Sequence, residues 1–174
     1  MSSPVSRQSM NWRPLVWCAC ALVLLVSSAR MLVGGRDCSG LSIDSINAYF
    51  YYHATSTFGE ENLASGKLAL RNSIIGEGDA EHPSSTTLVM VSLDTCASWP
   101  SDAVLEFSAA EAGGKTMTES TVPLSSYFSQ GNRVTIPFLL YGTGCESVEL
   151  KATVVGPGDA RRESTAVLPF ICGE

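Results

Sequence analysis

The densest run of side chains able to do chemistry is Glu77, Asp79, Glu81 and His82, in the stretch GEGDAEHPSS. Three carboxylates over five positions offer hard oxygen donors to a cation such as calcium, with Asp94 or Asp102 available to complete a shell after folding. With His82 beside them, the same residues would suit a metal-assisted hydrolase. The spacing is not that of an EF-hand loop, and an acidic stretch without apolar periodicity is also the ordinary composition of a solvated connection.

A second group is aromatic. Tyr49, Tyr51 and His53 recur at every other position, so on a strand they share one face. Exposed, they would form a surface for a sugar or a protein partner; covered, they would be cross-strand packing, for which β-structure favours tyrosine in any case. Arg161 and Arg162, the one adjacent basic pair, could hold an anion, but Asp159 and Glu163 flank them in what reads as a hydrated turn. Established catalytic signatures are missing from the sequence: there is no GxSxG, HExxH, GxxxxGK[ST] or dinucleotide fingerprint, and His53 and His82 are the only histidines. No catalytic residue is therefore nominated. There is also no Asn-x-Ser/Thr acceptor that would cover a surface with glycan.

The elements that would position these groups are strands. From Gly131 to Val155, Val134, Ile136, Phe138 and Leu140 alternate with Thr135, Pro137, Leu139 and Tyr141, and Val148, Leu150, Ala152 and Val154 alternate with polar residues. Joined by a turn with Gly142 and Gly144, these arms read as a hairpin with one buried face. Leu41 to Ala54 is a strand with Ile46, Ala48, Phe50 and Tyr52 on one side and a bulge near Asp44. Its place near the start suggests an edge strand whose backbone could pair with a partner. Lys67 to Ile75 alternates in the same way, and the near-continuous run Thr86 to Leu93 suits a central strand covered on both faces. Ala103 to Ser108 should turn Leu105 and Phe107 inward; Gly113 and Gly114 mark a hairpin returning through a polar edge strand, Lys115 to Val122. Pro123 to Gln130 is expected to hold a short helical turn, GPGDARRE a turn, and Thr165 to Ile171 the last strand.

About eight short strands without a convincing helix give an all-β fold class, an antiparallel β-sandwich, with a small β-barrel as the alternative. In this general sense the chain looks like the immunoglobulin-like or fibronectin-like class. It lacks the antibody-type motif, since Trp99 lies three residues after Cys96 instead of on a middle strand between two cysteines.

Compartment follows from the N-terminus and the cysteines. Arg7 and Arg13 precede an uninterrupted apolar run, Leu15 to Val26, and the small residues Ser27, Ser28 and Ala29 follow it. That is the plan of a secretory signal over residues 1–29, leaving 36–174 as one disulfide-bonded domain. The rival reading is an uncleaved anchor reaching to about residue 35, although the run is short for a span and Arg30 is costly within it. Cys38, Cys96, Cys145 and Cys172 then remain, an even number that suggests two disulfides, while zinc is disfavoured by spacing. Because one cysteine of each pair precedes a strand and the other follows one, the expected bridges are Cys38 to Cys172 and Cys96 to Cys145, the latter worth about 4 kcal/mol by loop entropy.

The net charge of −6 and the scarcity of clustered basic residues argue against nucleic acid as a partner. The expectation is an exported, non-catalytic sandwich, secreted, periplasmic or extracellular, that contacts a protein or glycan. It would be attached to a membrane only through an uncleaved N-terminal segment. No cofactor is expected beyond the calcium alternative.

Overall fold

Period-two segments become strands with their apolar sets turned inward in the computed structural model, which describes residues 40–94, 102–127, 132–156 and 160–173. All described residues belong to one compact unit, Cys38–Glu174. The signal-like run, Cys38 and Cys96 lie outside them. The strands are β1 (Ser42–Tyr52), β2 (Thr57–Phe58), β3 (Thr86–Asp94), β4 (Val104–Glu111), β5 (Thr116–Pro123), β6 (Arg133–Tyr141), β7 (Val148–Val155) and β8 (Arg161–Leu168). Among the described residues the only helical pieces are 3-10 turns at Leu63–Ser65, Ser73–Ile75 and Leu124–Tyr127.

Two separate four-stranded sheets form, ordered β2-β1-β3-β6 and β5-β4-β7-β8, with every strand pair antiparallel. This is a β-sandwich and not a closed barrel. Strands β4–β5 and β7–β8 are hairpins, whereas β3→β4, β5→β6 and β6→β7 cross between sheets, a routing of the immunoglobulin-like kind. The expected bulge appears as a register shift between Ile43 and Ser45, and Gly114, with φ of 81°, closes the β4–β5 turn.

The inner faces form one core. Ile46, Ala48, Phe50 and Tyr52 of β1 and Val89, Val91 and Leu93 of β3 meet Leu105 and Phe107 of β4 and Leu150, Ala152 and Val154 of β7. Burying a side chain of this size stabilises the fold by about 1.5–3 kcal/mol. Phe50 also touches Phe170, with ring centroids 6.0 Å apart.

Four expectations are corrected. The stretch around 131–155 is not a hairpin: β6 pairs with β3 and β7 with β4 and β8, so the connection 142–147 arches from one sheet to the other. The arch is pinned on the first sheet, where Thr143 N–H donates to Ser85 O at 3.0 Å and the Thr143 and Thr87 hydroxyls pair at 2.8 Å. Its other half is pinned to the C-terminal tail by a Cys145–Cys172 disulfide. This bridge replaces both expected pairings, because each of them used one of these two cysteines; Cys172 N–H also donates to Cys145 O at 3.1 Å, holding the tail against the arch.

Residues 67–75 do not form a strand. Gly66 and Asn72 adopt left-handed φ of 69° and 50° and break the extension on both sides, leaving a single parallel bridge, Arg71 to Ile171. Finally, Arg161 to Glu163 belong to β8 and not to the preceding turn.

Candidate functional site

Alternation along β1 places Phe50 in the core and turns Tyr49 and Tyr51 to the outer face of the first sheet, as their half-buried state records. His53 follows the strand, exposed, and its Nε2 lies 2.8 Å from Thr86 Oγ1 on β3. The Tyr51 ring meets His53 edge-on at 4.8 Å and Phe58 of β2 at 5.1 Å, with planes inclined by 80° and 44°. The expected stripe is thus one end of a larger surface.

Strand pairing supplies the remainder. Tyr49 pairs with Leu88, which pairs with Leu139 of β6; one row along, Asn47 pairs with Met90 and Met90 with Pro137. Thr86 pairs with Tyr141 beside Tyr51, and Ser45, Ser92 and Thr135 make the row at the far end. No charged residue occurs between these rows; Asp44, Asp94 and Arg133 stand beyond the far one, where Arg133 donates to Asp44 at 2.8 Å. Phe58, Leu139 and Tyr141 are 52%, 40% and 67% exposed. Sequence reasoning missed Leu88, Met90, Leu139 and Tyr141 as members of this face. Their signal was present: TLVMVSL and PFLLY are apolar in both phases of the alternation, which a strand needs only when its second face is also apolar.

The outer face of the second sheet is the opposite in chemistry. Glu106, Ser108, Glu119, Thr121, Lys151 and Thr153 line a shallow trough of about 260 Å³ there. Lys151 pairs with Glu163 at 2.8 Å and Arg161 with Glu106 at 3.4 Å. These exposed ion pairs add little stability, but they keep that face hydrated.

The β1 edge is not open for strand addition along its centre. Asn62 Oδ1 accepts from Ala48 N–H at 3.0 Å and from Ala64 N–H at 3.1 Å, while Gly59 N–H donates to Phe50 O at 2.9 Å. Strand β2 pairs with the C-terminal end of β1, Tyr51 and Tyr52. This corrects the expectation of an unpaired edge: a side chain does there what a neighbouring strand would do.

In the acidic loop two of the three carboxylates have local partners. Asp79 Oδ2 accepts from Ala69 N–H at 2.7 Å, and Glu77 Oε2 accepts from Asn72 Nδ2 at 2.6 Å. Glu81 N–H donates to the Tyr52 hydroxyl at 3.2 Å, and His82 meets the Tyr52 ring edge-on. Gly78 is required where this loop folds back, because φ is 69° and a Cβ would collide with the Ala69 carbonyl oxygen. Burial pushes the Tyr52 hydroxyl above the ordinary tyrosine range, an effect its bond to Glu81 partly offsets. Among the described residues no three or more His, Cys, Asp or Glu side chains gather to hold a metal.

No protein-family model matches this sequence, and no curated protein matches it. Among solved structures, it is similar to part of a Bacteroides fragilis protein that carries a provisional beta-galactosidase assignment, at 17% identity and a TM-score of 0.36. That similarity covers 49% of this chain and only 14% of the other, and is too slight to carry an argument about either fold or activity.

Proposed function

We propose that the chain is an exported, non-catalytic interaction module that docks a protein partner on the outer face of its first sheet. The observation that carries this reading is the contrast between the two outer faces: one uncharged and apolar from Tyr51 to Pro137, the other set with Glu106, Glu119, Lys151 and Glu163. A sheet face that only meets water has no reason to expose Leu139 and Tyr141 side by side with Leu88 and Tyr49. Aliphatic side chains at the centre of the face favour protein over glycan. The inclined rings of Tyr51, His53 and Phe58 make a poor flat shelf for sugar rings. Export is favoured by the signal-like start and by the Cys145–Cys172 disulfide, since such bridges persist in oxidising compartments. Among the described residues no helix is long and apolar enough to cross a membrane.

The test is a binding screen of the purified protein and its Leu139→Asp variant against extracellular protein libraries and glycan arrays, with melting curves to confirm that both fold. A protein partner retained by wild type and lost by the variant is expected. A glycan ligand lost with Tyr51→Ala but kept by Leu139→Asp would move the function to sugar recognition. Turnover of a substrate without partner binding would overturn the reading.

A further inference from the structure

Resting on that reading, we infer that the partner is a second copy of this chain, docked face to face through the first sheet in a weak, exchanging dimer. Three observations lead there. The sheet edges are poor sites for association: Asn62 and β2 cover the centre and one end of β1, Pro137 interrupts β6, Glu119 and Pro123 break up the polar β5 edge, and Arg161 and Glu163 charge β8. Association by strand addition is therefore discouraged, which leaves the face.

The second observation is where the charge lies. A chain of net charge −6 resists self-association unless its like charges stay apart. Packing the uncharged faces together sets the two charged outer sheets at the ends of a four-layer stack, about 30 Å from one another at about 10 Å per layer. That distance is well beyond the screening length of about 8 Å at physiological salt. Packing through the outer face of the second sheet would instead bring carboxylates such as Glu106, Glu119 and Glu163 into the contact.

Size decides the strength. With residues on one face about 6.8 Å apart along a strand and strands about 4.8 Å apart, the surface from β2 to β6 covers on the order of 500 Å². Two copies would bury on the order of 1,000 Å², in the range of weak and transient complexes and below the roughly 1,600 Å² of a standard interface. Micromolar dissociation is the corresponding expectation. A two-fold axis suits such a face, because each side chain then meets a surface of the same uncharged character.

Sedimentation velocity of the full exported chain, from low to high micromolar concentration, tests this directly. A shift from monomer to dimer is expected. Leu139→Lys should weaken association by at least about tenfold, whereas Val167→Lys, which changes the net charge equally at an exposed site on the second sheet, should leave it unchanged. Melting curves of both variants exclude unfolding as the cause. A photo-crosslinking residue at position 139 separates this inference from the docking reading. A product of twice the chain mass supports the dimer. A monomer at every concentration that crosslinks only to a different protein overturns the dimer and leaves the docking face intact. Crosslinking within one chain to residues 1–35, or no crosslink at all, overturns both.

Discussion

Phe107 of β4 and Phe138 of β6 lie face to face across the sandwich, with ring centroids 4.1 Å apart and planes within 14°. The stack joins the two sheets through side chains whose own strands never pair. Phe107→Ala should destabilise the fold by about 3–5 kcal/mol. A double-mutant cycle with Phe138→Ala should show a coupling of about 0.5–1.5 kcal/mol. Denaturant unfolding of the single and double variants measures both, and additive effects would mean that the rings act independently.

The two faces of β1 predict opposite responses to truncation. Phe50, 3% exposed against Phe170 and Tyr52, should cost about 3–5 kcal/mol when replaced by Ala. Tyr49→Ala and Tyr51→Ala should each cost about 1 kcal/mol while weakening association. Thermal melts decide: tyrosine variants as unstable as the phenylalanine one would make the outer face part of a core.

With Cys145 joined to Cys172, Cys38 and Cys96 are the two cysteines after residue 37 left to pair, four residues before Ser42 and two after Asp94 in sequence. Ser42 and Asp94 are register partners at one end of the β1–β3 ladder, so a Cys38–Cys96 bridge is the expected second disulfide. An alkylated, unreduced digest should yield Cys145–Cys172 and Cys38–Cys96 peptides and no free thiol from these four. Opening the Cys145–Cys172 loop alone should destabilise the protein by about 3–4 kcal/mol. A Cys38–Cys172 peptide would contradict the tail geometry.

Asn62 stands in for a strand at the β1 edge, so Asn62→Ala should leave the Ala48 and Ala64 amides without an acceptor. A loss of about 1–2 kcal/mol is expected. Amide exchange at Ala48 should accelerate more than at Val91, whose strand is paired on both sides. Equal acceleration at both would indicate global loosening instead.

Tyr52 predicts the alkaline limit. Its folded pKa is raised above the ordinary value of 10.0, chiefly by burial, so the folded state holds the proton that the unfolded chain releases. The stabilising contribution is complete below pH 10 and is lost as the pH rises through the folded value. Stability measured by denaturant against pH should fall in that window. Tyr52→Phe should flatten the fall while losing the bond from Glu81 N–H.

What the sequence alone determined was the inside. Alternation assigned Ile46, Ala48, Phe50 and Tyr52, then Leu105 and Phe107, then both arms of β6 and β7, to the buried side, because burying one face is a local requirement written residue by residue. The polar β5 edge, the Asp44 bulge and the turn after Pro123 were legible for the same reason.

Partners were not legible. A hairpin and an arch demand the same alternation, since β6 and β7 bury the same residues whether they pair with each other or lie in opposite sheets of the sandwich. Only the β3–β6 and β4–β7 registers separate the two. The cysteine rule failed likewise: several pairs join a strand start to a strand end, and the arch brought Cys145 to the chain terminus. Lys67 to Ile75 alternated convincingly, yet Asn72 in a left-handed conformation ended the extension there, a choice tied to its bonds with Glu77 and the C-terminal tail. The candidate face shows the limit most clearly. Tyr49, Leu88 and Leu139 are each unremarkable in sequence and become one surface only when three distant strands align, because contiguity across a sheet is a property of register that no single strand carries.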